Sequence, residues 1–199
     1  MSYNFFALVS RMKNIGRWSL MRNFSPENVQ EHSHMVAVIA HALAVIRRDV
    51  FGRDAEPDKA AAAALFHDAS EIFTGDMPTP VKYFNPEIMS AYKAVEKLAD
   101  NKLLSTLPRE IRPAYEKLIE VPDNTRDIIK AADTLSAYIK CLEELKAGNS
   151  EFLTAARQTK EKLLALDMPE VVYFLENFIP AFELTLDELN YSIQSEEKQ

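Results

Sequence analysis

The chain has 199 residues, enough to bury a sizeable apolar core, and its single cysteine, Cys141, excludes an intramolecular disulfide framework. A formal net charge of −7 argues against a nucleic-acid polymer as partner, because a phosphate backbone requires a broad basic surface; a small anion held by a local cation remains open. Hydrophobic residues at 47% and charged residues at 27% describe an ordinary globular chain, and only four glycines (Gly16, Gly52, Gly75, Gly148) among many Ala, Leu, Glu and Lys predict an all-α fold.

Residues 3–14 space Phe5, Phe6, Leu8, Val9 and Met12 as a helix that ends near Gly16. Arg17, Trp18 and a short irregular stretch follow. Ser25-Pro26-Glu27 reads as a helix start, with Ser25 as N-cap and Pro26 at the first helical position, and that helix runs to about Val50 before Gly52. The next is expected from about Asp58 through the alanines at 60–64 to Phe73, stopping at Gly75. Residues 74–86, with three prolines and a glycine, read as an ordered loop. Further helices are expected at 86–107, 108–119, 126–147, 150–166 and 169–191, the last bent at Pro180. There is no repeat, low-complexity tract or long linker, so residues 1–199 read as one helical domain. No apolar run approaches the ~20 residues that span a bilayer, and the first eleven residues lack the pattern of a signal peptide. A cytoplasmic protein, with no membrane association, is the expectation.

Of the four histidines, His67 has the most suggestive setting. It is followed at once by Asp68 and one turn later by Glu71, close after an apolar, alanine-rich helix where several titratable groups are costly unless paired or metal-bound. Adjacent helical residues lie ~100° apart, so His67 and Asp68 can lean toward one ion. His32 stands one turn into its helix, with Met35 and Val36 facing the core. His34 points ~200° away from it and shares a face with His41; both are read as structural or surface residues. Asp133 sits in an otherwise apolar helical stripe, where a buried acid wants a cation. Two imidazoles and two carboxylates, from His32, His67, Asp68 and Asp133, suit a divalent ion such as Mn²⁺, Co²⁺, Zn²⁺ or Fe²⁺ and fit Ca²⁺ poorly.

The set His32…His67-Asp68…Asp133, in the contexts EHS, LFHDASE and KAAD, resembles the HD-domain superfamily of metal-dependent phosphohydrolases. More narrowly, RW at 17–18, ENVQEHS at 27–33, FHDASEIFTGDMPTPVKYFN at 66–85 and KAADTLSAYIKCLEELKAGNSEF at 130–152 are similar to bacterial 5′-deoxynucleotidases of the YfbR type, over nearly the whole chain. The resemblance implies an all-α HD-type helical bundle and hydrolysis of deoxyribonucleoside 5′-monophosphates to deoxynucleosides and phosphate. It also implies a divalent transition metal such as Co²⁺ or Mn²⁺, a homodimer and a cytoplasmic home. In that scheme His32, His67, Asp68 and Asp133 hold the metal, and Asp68 and Asp133 also face substrate. Glu71 is the general acid or base and Arg17 clamps the phosphate, its planar fork matching two oxygens. Trp18 crowds a ribose 2′-hydroxyl, and the loop Asp76, Met77, Pro78 and Thr79 receives the sugar and phosphate. Met77 is the one visible variation in that loop, apolar for apolar. Lys82 is read as solvated, Tyr83 and Phe84 as packing residues, and no cluster for recognising a base is evident.

Other activities of the superfamily are weighed against this one. A triphosphohydrolase needs more basic residues than the Arg17 region and the loop provide, and a two-iron oxygenase needs extra histidines, which His34 and His41 cannot supply. A cyclic-nucleotide or oligonucleotide phosphodiesterase remains within the same chemistry. A non-catalytic helical regulatory module is disfavoured because His67, Asp68 and Asp133 are all present. The aromatic residues Tyr173, Phe174, Phe178 and Phe182 suit either a core or an interface.

Overall fold

The computed structural model describes residues 2–82 and 84–196, so Tyr83 lies outside the described residues. Its helices in chain order are α1 (Phe5–Val9), α2 (Val29–Val45), α3 (Pro57–Ala64), α4 (Glu71–Thr74), α5 (Thr79–Lys82), α6 (Pro86–Leu104), α7 (Arg112–Ile119), α8 (Asp123–Lys146), α9 (Leu153–Leu164), α10 (Pro169–Asn177) and α11 (Leu186–Glu196). Among the described residues the one β-type pairing is an isolated antiparallel bridge between Gly16 and Asn28. No described helix is long and apolar enough to cross a membrane. The all-α expectation is met.

α2 is the central element. It packs against α3 and α8, and α8 in turn carries α9. Small side chains make this close approach possible: Ala40, Ala44, Ala60, Ala64, Ala131 and Ala132 are all essentially inaccessible to solvent, with Leu43, Ile128 and Leu135 filling the spaces between. A second cluster gathers Phe5, Ala69, Leu103 and Leu107, against which Phe66 and Tyr115 pack. There the Tyr115 ring stands 5.0 Å from Phe5 and 5.7 Å from Phe66, edge-on to both. Of the terminal aromatics, Phe174 is buried and Phe178 is 44% exposed.

Several boundaries differ from expectation, and the largest differences have identifiable physical reasons. α2 is capped by Asn28, not Ser25: Asn28 Oδ1 accepts from Gln30 and Glu31 N–H at 3.0 Å, and Glu31 Oε2 accepts from Asn28 N–H at 3.2 Å, a reciprocal capping box. Phe24 and Ser25 instead donate their N–H groups to the buried carboxylate of Glu144, at 2.9 and 3.0 Å. The helix through the alanines stops at Ala64 rather than Phe73. In a continued helix Asp68 N–H would take the Ala64 carbonyl, but His67 takes it with both its backbone N–H (3.4 Å) and its Nδ1 (2.7 Å), and residues 65–70 become tight turns. Thr79–Lys82 forms one helical turn inside the expected loop, tolerating Pro80 because the first turn needs no N–H there. Pro180, which lacks an N–H, breaks the last helical region rather than bending it, leaving a 3₁₀ segment at Ile179–Glu183 and a new helix from Leu186. α6 ends at Leu104 and α7 starts at Arg112, shorter than expected, while α8 opens at Asp123, three residues early.

Candidate active site and candidate metal ligands

The turn segment between α3 and α4 is fixed from below and presents its polar side chains above. Ala69 is fully buried in the second cluster and Phe66 packs against it, which turns His67 and Asp68 to the opposite side. There they meet His32 from the first turn of α2 and Asp133 from the middle of α8. His67 Nε2 lies 3.1 Å from Asp68 Oδ2, and His32 Nε2 lies 3.0 Å from Asp133 Oδ1 and 3.7 Å from Asp68 Oδ2. One ligand atom each from His32, His67 and Asp68 falls within 4.8 Å of the others, a spacing that a single ion can bridge. Asp133 joins this trio through His32. It is not the buried acid that its apolar stripe suggested: its side chain is 43% exposed because this face of α8 opens into a cavity.

The ring nitrogens are set for ligation. His67 Nδ1 donates to the Ala64 carbonyl, so Nε2 faces the cluster; that nitrogen is buried and makes no aligned hydrogen bond despite its nearness to Asp68. His32 is wholly buried, its Nδ1 meeting Ser136 Oγ at 3.2 Å while Nε2 faces the carboxylates. Burial alone would disfavour a protonated His67, but Asp68 and then Asp133 outweigh it and carry its pKa up to about 9. Against its own burial, Asp68 is drawn below the ordinary carboxylate range by His67, and the His32 hydrogen bond lowers Asp133 although its partly sheltered setting opposes this. A field that holds an extra proton between these groups also favours a divalent cation there, and the donor set of two imidazoles and two carboxylates fits such an ion.

Above the cluster lies a cavity of about 650 Å³. Its lining includes every residue expected to face substrate: Arg17, Trp18, Asp68, Glu71, Asp133 and the loop Asp76, Met77, Pro78 and Thr79. Gly75 starts that loop with φ 72°, a left-handed turn a side chain would strain. Arg17 lies 3.6 Å from Asp68 by Nη1, and although burial opposes its charge, Asp133, Asp68 and Glu27 keep it firmly protonated. Glu71 is 6% exposed, its Oε2 has no hydrogen-bond partner, and burial, reinforced by Asp68 and Asp76, pushes its pKa up to about 9. Burial raises Asp76 as well. His34 and His41 stay outside: both are exposed, and His41 Nε2 faces Asp58 at 3.5 Å.

Other residues of the site went unnoticed in the sequence. Lys82, read as solvated, lines the cavity, pairs with Glu96 at 2.8 Å and lies over the Tyr92 ring. Ala155, Gln158, Thr159 and Lys162 of α9 form another wall. Their i, i+3, i+4, i+7 spacing marks one helix face, a signal that was readable but had no motif to attach it to the site. Ser136 and Glu27 were also missed.

The description 5′-deoxynucleotidase YfbR-like belongs to a family model that matches residues 4–182. A 5′-deoxynucleotidase of Erwinia tasmaniensis and 5′-deoxynucleotidase YfbR of Escherichia coli are each 50% identical to this chain over 190 residues, covering 94% of it and 96% of the relative. Among solved structures, an HD-domain phosphohydrolase from Listeria innocua is similar, with a TM-score of 0.78 at 25% identity over 97% of this chain and 98% of that one. A cyanophage S-2L HD phosphohydrolase, bound to dA and one catalytic Zn²⁺, shares the fold with a TM-score of 0.60 at 22% identity, over 87% of this chain and 95% of its own. The chain belongs to the YfbR-like 5′-deoxynucleotidase family.

Proposed function

We propose that the protein is a metal-dependent 5′-deoxynucleotidase that cleaves deoxyribonucleoside 5′-monophosphates in the cavity above His32, His67, Asp68 and Asp133. The observation that carries the reading is the buried His67 Nε2, fixed by its Nδ1 hydrogen bond and directed, without an aligned partner of its own, at Asp68 and His32. Those four side chains would hold the ion, with Co²⁺ or Mn²⁺ as the proposed occupant. When bound, it supplies an activated water and neutralises phosphoryl charge.

The protein's own residues do the rest. The cavity is rich in carboxylates, so a dianionic phosphate enters it only where cations offset them; Arg17 binds two phosphoryl oxygens through its terminal nitrogens. Glu71, held neutral by burial, keeps a proton on its carboxyl and delivers it to the departing 5′-oxygen. Asp76 and Thr79, on a proline-stiffened loop, hydrogen-bond the sugar and phosphate. Trp18 sets a rigid indole against the sugar, where a 2′-hydroxyl would collide; such steric selection is modest unless polar groups are also left unpaired.

The proposal extends to a homodimer in the cytoplasm. The family resemblance supports both, and a single, buried cysteine is in keeping with a reducing compartment. Phosphate release from dAMP and AMP, measured on metal-stripped protein with and without added Mn²⁺ or Co²⁺, tests the activity. Metal-dependent release that favours dAMP is expected; no release from any deoxynucleoside monophosphate would overturn the reading.

A further inference from the structure

We propose that Glu27 is the positioning residue that sets the phosphate clamp and the sugar wall together; the inference rests on the 5′-deoxynucleotidase reading of the cavity. A single oxygen, Glu27 Oε2, accepts from Arg17 Nε at 3.0 Å and from Trp18 Nε1 at 3.1 Å. The Glu27 backbone carbonyl also accepts the Arg17 N–H at 2.9 Å. The Glu27 side chain is 16% exposed, so this junction is largely screened from water.

Local geometry explains why the segment needs such a fastening. Trp18 has φ 59°, a left-handed conformation that a bulky side chain adopts only when its surroundings hold it there. The indole is gripped on two sides, by Glu27 at Nε1 and by the Phe152 ring at 5.3 Å. Residues 15–17 run antiparallel to 27–29, joined by the Gly16–Asn28 bridge and by Val29 N–H donating to the Ile15 carbonyl at 2.9 Å. Asn28, next in sequence, caps the helix that carries His32. Glu27 therefore ties the Arg17–Trp18 segment to the helix that carries His32.

The chemistry of the pairing points the same way. A carboxylate beside a phosphate site opposes anion binding through space, so its benefit must come from orientation. Fastening Arg17 by Nε leaves the terminal nitrogens, one of them 3.6 Å from Asp68, as the edge available to a phosphoryl group. Fastening Trp18 by Nε1 fixes the plane of the ring that would exclude a 2′-hydroxyl. Substrate affinity and sugar selectivity should thus change together when one side chain is removed.

The test uses the metal-loaded protein with Glu27→Ala, which removes the shared acceptor, and Glu27→Gln, whose amide oxygen has two lone pairs and can still accept both N–H groups. In Glu27→Ala, KM for dAMP should rise about tenfold, as for loss of one net hydrogen bond's orientation, with a narrower dAMP-to-AMP preference and unchanged bound metal. Trp18 is the sole tryptophan, so its emission reports the junction directly and should shift to the red in the same variant. Glu27→Gln should recover most of both effects. If Glu27→Ala does not fold, Glu27→Asp, which leaves Trp18 whole but draws the shared carboxylate back by one methylene, should raise KM, narrow the preference and shift Trp18 emission together. An unmoved KM, an unchanged preference, or unaltered Trp18 emission would each overturn the proposal, and so would loss of bound metal in folded Glu27→Ala. If the wild-type protein hydrolyses no deoxynucleotide, the functional reading fails, while Trp18 emission still decides whether Glu27 holds the junction.

Discussion

Replacing Glu144 by alanine should destabilise the protein strongly although the residue lies outside the cavity. Glu144 is 1% exposed and accepts from Phe24 N–H at 2.9 Å, Ser25 N–H at 3.0 Å, Asn149 Nδ2 at 2.8 Å and the Lys140 ammonium. Lys140, 4% exposed, also donates to the Ser25 carbonyl. The substitution strands two backbone donors and a buried ammonium, and breaking a buried pair from one side costs about 3–5 kcal/mol. At about 2–4 °C per kcal/mol for a chain of this size, Tm should fall by roughly 6–20 °C. These contacts lower the Glu144 carboxyl to about 2 in the folded protein against 4.5 ordinarily, despite its burial. A group depressed on folding binds its proton more readily in the unfolded chain. Its stabilisation is therefore complete above the unfolded value and disappears as pH falls toward 2. Thermal melts by circular dichroism from pH 7 down to 2 should show a steeper loss below pH 4.5 in the wild type than in Glu144→Ala. A variant melting within about 2 °C of wild type at pH 7, or acid profiles of equal slope, would refute this account of the buried network.

Glu71→Ala should keep bound metal and substrate affinity while turnover falls about a hundredfold or more, the range for loss of a general acid, as read by steady-state phosphate release with metal analysis alongside. Retained turnover would remove Glu71 from the proton transfer. Trp18→Ala should narrow the dAMP-to-AMP preference in kcat/KM; an unchanged ratio would place sugar selection on another wall of the cavity.

Much of the fold was legible because helix formers are dense and glycines few, and because the apolar spacing of 29–45 and 123–146 follows a helical period. Two of the misplaced boundaries arise where another partner took a group that helix rules assign elsewhere. Ser25 has the residue type of an N-cap, yet its N–H is held by Glu144, more than a hundred positions away, and the capping passes to Asn28. The alanine helix has no local stop signal before His67, whose imidazole claims the Ala64 carbonyl and whose neighbours Phe66 and Ala69 are held by the second cluster.

The candidate site was legible in its polar residues, since an acid or histidine amid apolar helix stands out; the structure brings His32, His67 and Asp68 together and places Asp68, Asp133, Arg17 and Glu71 on the wall of the adjoining cavity. Glu27 gave no such signal. A glutamate beside a helix start is ordinary, and its importance arises only when the chain folds back to place Arg17 and Trp18 on one of its oxygens. The Gln158–Lys162 wall was hidden for a similar reason: a polar stripe on a helix reads as solvent-facing until α9 is laid beside α8.

Titrating metal-stripped protein with Mn²⁺ or Co²⁺ by calorimetry, in wild type and in His67→Ala and Asp133→Ala, addresses the shared cation site directly. One ion per wild-type chain is expected, with binding lost in both variants together with phosphate release from dAMP. Undiminished binding in either variant, or no binding by the wild type at saturating metal, would contradict a single divalent ion gripped by His32, His67, Asp68 and Asp133.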